Sequence, residues 1–219
     1  MKKAIRPSNK RIAQAQAVLE RLEAAYPDPR CELDVPQALK PYELLIAVRL
    51  SAQCTDKRVN LVTPALFAAF PTLERFAEAD PVDIEPYIRS CGLYHTKAAD
   101  IAGMCQQLMA RFDSRVPDTV EQLTTLPGVG RKTANLIVGD VYGKPAVVTD
   151  THVIRISNRL GLCDRKEPLA VENQLRALLP PEESNNFCHR MVLHGRAVCR
   201  AARPRCMECP LYECCDGRE

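Results

Sequence analysis

The sequence predicts an all-α protein, and three observations support this fold class. Apolar residues recur at intervals of three and four, the spacing that places them on one face of a helix. Runs of alternating β-branched residues, which would indicate strands, are nearly absent. Many of the 17 prolines stand where the periodic segments begin or stop, which is where helices tolerate proline. The first apolar stripe consists of Ile12, Ala15, Leu19, Leu22 and Tyr26.

The remaining helices follow from the same spacing and from proline or glycine at their ends. They are predicted over residues 41–49, 59–67, 73–79, 82–90, 94–112, 118–126, 133–142, 151–160, 168–178 and 182–194. Gly195 is expected to end the last of them. Residues 31–40 and 162–167 read as connections between helices.

Charge and composition restrict the possible classes of protein. The net charge of +3 is weak evidence for a nucleic-acid partner, because the distribution of charge matters more than its total. The sequence contains no run of 18 apolar residues, so no membrane span is predicted. The basic opening 1–10 lacks the apolar region of a signal peptide. Eleven cysteines, an odd number, predict reduced thiols or a metal rather than a disulfide framework. We therefore expect a cytoplasmic protein.

The stretch LPGVGRKTA at residues 126–134 joins two helical segments. Asp118 and Glu121 have the spacing of a capping box at the start of the first segment. Gly128 and Gly130 permit a tight bend and the close approach of another backbone. Because the turn also opens a helix, its N–H groups and the positive end of the dipole form an anion site. The expected anion is a phosphate.

Lys132 lies in the first turn of the helix that follows this bend. The helix dipole, together with partial burial, would favour the neutral amine, which is the nucleophilic form. The alternative is a solvated lysine that contacts phosphate. Asp150 is either the N-cap of the helix over 151–160 or a catalytic partner of that amine, and spacing alone does not decide between the two.

Four cysteines near the end of the sequence have the spacing Cys-x6-Cys-x2-Cys-x5-Cys: Cys199, Cys206, Cys209 and Cys215. Four thiolates in one short loop hold either zinc or an iron–sulfur cluster. A zinc ribbon usually pairs two Cys-x2-Cys knuckles, and one is present here, so the spacing favours iron–sulfur. Such a loop is too small to have a core, and a bound group would fold it.

The stretch LPGVGRKTAN, followed by VTDTHV at 148–153, resembles the endonuclease III family of helix–hairpin–helix DNA glycosylases with abasic-site lyase activity. The resemblance implies that Lys132 is the nucleophile and Asp150 the second catalytic residue. It also implies a 4Fe–4S cluster and selects Cys215, not Cys214, as the fourth ligand. Thr149 departs from the valine that is common before the aspartate.

Two further segments resemble the family. In LSAQCTD at 50–56, the resemblance implies that Gln53 fills the gap left by an extruded base, whereas the residues alone indicate a helix–helix turn. In GLYHTKA at 92–98, it implies that Leu93 is a wedge in the DNA stack, although most such residues pack into a core. The other residues expected to contact DNA are Leu126, Gly128, Val129, Gly130, Arg200, Arg203 and Arg205.

The resemblance implies two domains, a six-helix domain over 34–144 that ends in the hairpin and an iron–sulfur domain formed by 1–33 with 145–219. It implies a monomer that excises oxidised pyrimidines from damaged duplex DNA and breaks the strand 3′ to the abasic site. One alternative is a purine-mismatch glycosylase of the same superfamily, although such relatives generally lack the lysine of the hairpin. The other is a helix–hairpin–helix module that binds DNA without catalysis.

Overall fold

A computed structural model describes residues 7–35 and 40–218, and in these ranges all regular structure is helical. The prediction of an all-α fold is therefore confirmed. Residues 1–6 of the basic opening segment 1–10 and residues 36–39 of the predicted connection 31–40 lie outside the described residues. The α-helices are α1 Asn9–Ala25, α2 Pro41–Ser51, α3 Asp56–Ala69, α4 Leu73–Glu78, α5 Pro81–Ile88, α6 Tyr94–Phe112, α7 Val120–Leu123, α8 Arg131–Asp140, α9 Thr151–Arg159, α10 Pro168–Arg176 and α11 Ser184–Ala197.

The chain divides into two compact units. One, here called the hairpin unit, is Cys31–Gly143 and contains α2 to α8. The other, the cysteine unit, joins the chain up to Arg30 with the chain from Lys144 onward. The sequence placed the corresponding boundaries at residues 34 and 144. None of the helices in the described ranges combines the length and the apolar character needed to span a bilayer.

The core of the hairpin unit forms around α6, which packs against α4 and α5, while α2 packs against α3, α6 and α8. Phe76, Ile84 and Ile101 are fully buried there. Burial of each such side chain contributes about 1.5–3 kcal/mol. The bounds predicted for the long helix over 94–112 are those observed for α6.

In the cysteine unit, α11 packs against both α1 and α9. The prediction that Gly195 ends this helix is wrong, because α11 continues to Ala197. A Cβ atom at Gly195 would lie 2.6 Å from His152 Cδ2 and 3.0 Å from Ile156 Cδ1. Gly195 therefore lets α9 approach α11 closely, and it does not act as a cap.

The first helix of the hairpin is shorter than predicted. α7 is one turn long, and its N-cap is Thr119, whose side chain accepts a hydrogen bond from Gln122 N. The capping box expected from Asp118 and Glu121 is thus displaced by one residue, because the Thr119 hydroxyl reaches the third helical residue itself. The turn that follows is correspondingly longer.

Candidate functional site

The turn between α7 and α8 is held by packing against a buried ion pair. Gly128 has a φ of +70°, and a Cβ there would lie 2.6 Å from Arg49 Nε and 2.7 Å from Asp100 Oδ2. Arg49 Nε donates to Asp100 Oδ2 at 2.7 Å, and both side chains are largely buried. Leu126 and Val129 are also buried. The turn is therefore fixed from beneath, and contact of these two residues with DNA would come from their backbone.

Lys132 is the second residue of α8 and is exposed, so the expected partial burial is wrong. The N-cap of α8 is Gly130, which has no side chain to cap the first N–H groups of the helix. The half-buried Asp56, at the start of α3, lies within electrostatic range of Lys132. Burial raises the pKa of the Asp56 carboxyl, and the charge of Lys132 acts in the opposite direction. Lys132 is thus an exposed residue that lies near a carboxyl group.

Gln53 and Leu93 both lie at exposed turns of the hairpin unit. Their φ angles are +55° and +49°, which is uncommon for residues other than glycine. Leu93 precedes the first residue of α6, and 57% of its surface is exposed. The alternative that Leu93 packs into the core is therefore wrong. Such backbone conformations often mark functional positions.

Asp150 is the N-cap of α9, as one of the two interpretations of the sequence expected. Its Oδ1 accepts a hydrogen bond of 2.7 Å from Val153 N. Its Oδ2 lies 2.8 Å from Nδ1 of His152, and 12% of the Asp150 side chain is exposed. Both carboxylate oxygens are thus held in place, one by the helix and the other by an imidazole. Asp150 lies in the cysteine unit, whereas Lys132 lies in the hairpin unit.

The four predicted cysteine ligands line one cavity: Cys199, Cys206, Cys209 and Cys215. Cys214 does not line it, and its thiol donates to the carbonyl of Leu211 at 3.3 Å. Burial raises the pKa of the Cys215 thiol, and the nearby thiols of Cys199 and Cys206 raise it further. Cys215 thus lines the cavity with the other three cysteines, whereas the adjacent Cys214 does not.

In residues 7–35 and 40–218, no three His, Cys, Asp or Glu side chains converge closely enough to hold a single metal ion. A four-iron cluster needs a wider arrangement, because each thiolate binds a different iron atom. The four cysteines that line one cavity supply the thiolate donors that either a structural zinc or an iron–sulfur cluster uses. All four donors are sulfur, which is the donor set that such clusters use.

Helix α9 also holds the cysteine loop, defined here as residues 199–215. Arg155 Nη2 donates to the carbonyl of Cys199 at 2.9 Å. Arg159 Nη1 donates to the carbonyl of Arg200 at 2.8 Å, and its Nη2 donates to that of Ala201 at 2.9 Å. One helix therefore positions Asp150 at its first turn and clamps the cysteine loop farther along.

His194 lies behind the cysteine loop. Its Nδ1 is 3.2 Å from the hydroxyl of Tyr26, and its Nε2 is 3.6 Å from Cys209 Sγ. Burial lowers the pKa of His194 to about 4, so the imidazole is neutral near pH 7. His194 therefore packs as a neutral side chain between Tyr26 and the loop. It adds a contact to one of the four cysteines.

The arginines of the cysteine loop differ in their surroundings. Arg200, Arg203 and Arg205 are all exposed. Arg205, however, forms a bidentate ion pair with Glu208, with a distance of 2.9 Å between Arg205 Nε and Glu208 Oε1. Its charge is therefore partly neutralised within the loop. Arg200 and Arg203 are better placed to contact phosphates.

The comparisons with known proteins agree on one family. Residues 46–181 match the HhH-GPD superfamily of base excision DNA repair proteins. The chain is 43% identical over 220 residues to endonuclease III of Synechocystis, covering 100% of this chain and 99% of that protein. It is 40% identical over 190 residues to endonuclease III of Rickettsia conorii, covering 87% and 89%. The chain belongs to the endonuclease III family.

A solved structure extends this comparison to the fold. A trapped endonuclease III–DNA covalent intermediate matches the chain with a TM-score of 0.88 and 42% sequence identity. The match covers 94% of this chain and 96% of that one. Membership of the endonuclease III family is thus supported by the backbone over nearly its whole length.

Sequence reasoning missed several neighbours of the site. His152, which holds Asp150, could have been found from its position two residues after the aspartate. Asp56 near Lys132, and Asp100 beneath the hairpin turn, are far from their partners in the sequence and left no local signal. Lys97 lies in the GLYHTKA motif, from which the sequence predicted no role for it.

Proposed function

We propose that this protein is a bifunctional DNA glycosylase and abasic-site lyase that excises oxidised pyrimidines from duplex DNA in base excision repair. The observation that carries the proposal is the exposed amine of Lys132 at the start of α8, directly after the Gly128 turn. A second observation supports the proposal: the chain is 42% identical in sequence to an endonuclease III that was trapped covalently on DNA. An accessible amine is the group that such a bond requires.

The hairpin turn binds the DNA backbone in this proposal. Gly130 leaves the first N–H groups of α8 without a side-chain cap, and the dipole of the helix favours an anion there. Leu126 and Val129 anchor the turn through their buried side chains and contribute backbone groups to the phosphate site. Arg200 and Arg203 add positive charge at the cysteine loop.

The damaged pyrimidine leaves the stack before the reaction, because the sugar carbon is shielded within an intact duplex. Gln53 fills the resulting gap, where its amide offers both donors and acceptors to the orphaned base. Leu93 enters as an apolar wedge that stabilises the kinked duplex. The exposure of both residues leaves their side chains available for these roles.

The reaction begins when the unprotonated amine of Lys132 attacks C1′ of the deoxyribose. The glycosidic C–N bond breaks, and its electron pair leaves with the base, which takes up a proton. The sugar ring opens to give a protonated Schiff base. Loss of a proton from C2′ then breaks the C3′–O bond, and hydrolysis of the imine restores the amine. This sequence accounts for both base excision and strand scission.

Asp150 is proposed to stabilise the positive charge that develops on the sugar and to assist the proton transfers. Hydrogen bonds from Val153 N and His152 hold its carboxylate in one orientation. Preorganised charge of this kind is more effective than charge that must reorient during the reaction. The same carboxylate also caps α9, so its two roles need separate tests.

We further propose that Cys199, Cys206, Cys209 and Cys215 hold a 4Fe–4S cluster. Four protein ligands saturate such a cluster, so it serves structure and takes no part in the hydrolytic chemistry. Its function is to order the cysteine loop and the arginines that the loop carries. The protein acts as a monomer on damaged duplex DNA in the cytoplasm.

The test uses a duplex that contains one thymine glycol, incubated with the wild-type protein in the presence or absence of sodium borohydride. Borohydride delivers hydride to the imine carbon and makes the bond permanent, so a protein–DNA adduct is expected only on the damaged duplex. Without borohydride, base release should be accompanied by strand scission. Base release with neither scission nor an adduct would indicate a monofunctional glycosylase. Binding without base release would indicate a non-catalytic module.

A further inference from the structure

Lys97 is a cation in the core of the hairpin unit. It lies in the first turn of α6, and its exposed surface is 0% of the maximum. Lysines are almost never fully buried unless they are paired, because removing an ammonium from water is costly. Burial lowers the pKa of Lys97. A residue with this cost needs contacts that compensate for it.

Two backbone carbonyls supply these contacts. Nζ of Lys97 donates to the carbonyl of Leu50 at 2.8 Å and to that of Cys91, also at 2.8 Å. Leu50 precedes Gln53 by three residues, and Cys91 precedes Leu93 by two. The backbone N–H of Lys97 donates to the carbonyl of Leu93 at 3.0 Å. One side chain thus joins the two segments that lead into the exposed turns.

The thiols beside the ammonium belong to the same two segments. The thiols of Cys54 and Cys91 lie close enough to interact with each other and with Lys97. Cys54 directly follows Gln53 in the chain. The two turns therefore meet at a compact polar junction, here defined as Lys97 with the carbonyls of Leu50 and Cys91.

The conformations of the two turns need such support. Gln53 and Leu93 both have positive φ angles, which persist only where the surroundings determine them. A charge-assisted hydrogen bond is stronger than a neutral one and keeps its geometry more firmly. Because the ammonium has three donors, it can hold two carbonyls at once. No single apolar side chain could replace this link.

We propose that Lys97 is a positioning residue that fixes the spacing between Gln53 and Leu93, so that both side chains enter the DNA gap together. The inference rests on the roles proposed above for those two residues. Lys97 touches neither DNA nor the reacting sugar and acts through the two turns. Insertion into a base stack pushes against both turns, and the shared ammonium resists their separation.

The test is a mutant cycle that combines Lys97→Met with the double variant Gln53→Ala/Leu93→Ala. Single-turnover excision is measured on a thymine glycol duplex, and borohydride trapping is measured on a single-stranded abasic site, which has no opposite base to displace. Lys97→Met alone should slow duplex excision by roughly tenfold or more and leave single-strand trapping within about twofold. Added to the double variant, it should change excision by less than about twofold, because residues that act as one unit are not additive.

Ile84→Ala is the matched control, since it removes buried side-chain atoms from α5 of the same unit but takes away none of the hydrogen bonds of the junction. At a temperature where it is folded, it should excise like wild type. If Lys97→Met does not fold, Lys97→Gln enters the same cycle, because its shorter side chain cannot reach both carbonyls together.

Three results would overturn the inference, and they differ in what else they imply. If the double variant is slow and Lys97→Met slows it further by the same factor as it slows wild type, the lysine acts independently of the turns. Equal slowing of single-strand trapping would likewise make Lys97 a general core residue. If the double variant excises like wild type, the roles of Gln53 and Leu93 are wrong as well, although the proposed lyase activity would still stand on the trapping of wild type.

Discussion

The hairpin turn and the cysteine loop are both short segments expected to contact DNA, but they are held in different ways. In the hairpin turn, residues 124–130, Leu126 and Val129 are buried and Gly128 rests on the Arg49–Asp100 ion pair. In the cysteine loop, residues 199–215, Leu211 is the one buried side chain. The loop is held instead by the arginines of α9, and its four predicted cysteine ligands line one cavity.

This difference indicates where each segment obtains its stability. The hairpin turn is part of a packed core and needs no added group to hold its shape. The cysteine loop buries too little apolar surface to be ordered by packing, so a bound cluster would supply most of its folding free energy. The hairpin turn should therefore survive changes that disorganise the cysteine loop.

The largest effect is expected from Cys215→Ser. Because Cys215 lines the cavity shared by the four cysteines, this variant should lose all iron and sulfide. Cys214→Ser is the matched control and should keep both, since Cys214 does not line the cavity. Elemental analysis and visible absorption of protein purified without oxygen provide the measurement. If Cys214→Ser lost its iron and Cys215→Ser kept it, the fourth ligand would be Cys214. If the wild-type protein contained one zinc and no iron, the proposed iron–sulfur cluster would be wrong.

The cysteine loop and the hairpin turn can also be compared within the Cys215→Ser protein. Amide hydrogen exchange should show lost protection in residues 199–215 and unchanged protection in α8, because α8 packs into the core of the hairpin unit. Equal loss of protection in both regions would contradict the comparison.

The next effect concerns Asp150, which begins the helix that clamps the cysteine loop. Asn caps a helix about as well as Asp, so Asp150→Asn should keep the fold, the cluster and DNA affinity. It should lower the excision rate by roughly 10²-fold or more if charge and proton transfer are lost. Asp150→Ala should in addition cost about 0.5–2 kcal/mol of stability. Wild-type turnover by Asp150→Asn would reduce the residue to a cap.

A smaller effect separates the two glycines of the hairpin turn. Gly128→Ala should destabilise the protein by about 1–3 kcal/mol, because alanine is strained at a φ of +70° and its Cβ would meet Arg49 and Asp100. Gly130→Ala should cost about 1 kcal/mol or less, the loss of a modest N-cap, since its φ is −88° and no atom lies within 4 Å of the added Cβ. Urea unfolding gives both values. Equal losses would mean that the ion pair does not support the turn.

The smallest effect concerns the arginines of the cysteine loop. Binding to undamaged duplex DNA should weaken steeply with salt, because phosphate contacts release counterions. Arg200→Ala and Arg203→Ala should each reduce the slope of log Kd against log salt concentration by about 1. Arg205→Ala should reduce it less, because Glu208 already pairs with that guanidinium. Fluorescence anisotropy at several salt concentrations measures the slopes, and a flat response in the wild type would contradict the electrostatic account.

Local chemistry made part of this fold predictable from the sequence. The cap of α9 by Asp150 and the bounds of α6 depend on residues within one or two turns, so the spacing of side chains was enough. The cysteine spacing likewise marked the residues that line the shared cavity. In each case the signal and the structure lie in the same short segment.

Contacts between distant segments could not be predicted in this way. Gly195 was expected to end a helix, yet it allows α11 to approach α9 closely. The residue that it faces there, His152, lies 43 positions earlier in the sequence. The partial burial expected for Lys132 was wrong because the helix start faces outward. The link from Lys97 to Leu50 joins residues that are 47 positions apart. These features depend on how the helices pack against one another, and the spacing of residues along the sequence does not predict that packing.

The most direct test of the account is the identity of the residue that becomes attached to DNA. Wild-type protein is trapped with borohydride on a thymine glycol duplex, digested with protease and nuclease, and the modified peptide is sequenced by mass spectrometry. The account predicts a deoxyribose remnant on Lys132, no adduct with Lys132→Gln although that variant still binds DNA, and normal trapping with Lys166→Gln, an exposed lysine of the cysteine unit. An adduct on the N-terminal amine or another lysine, or equal trapping by Lys132→Gln, would contradict it.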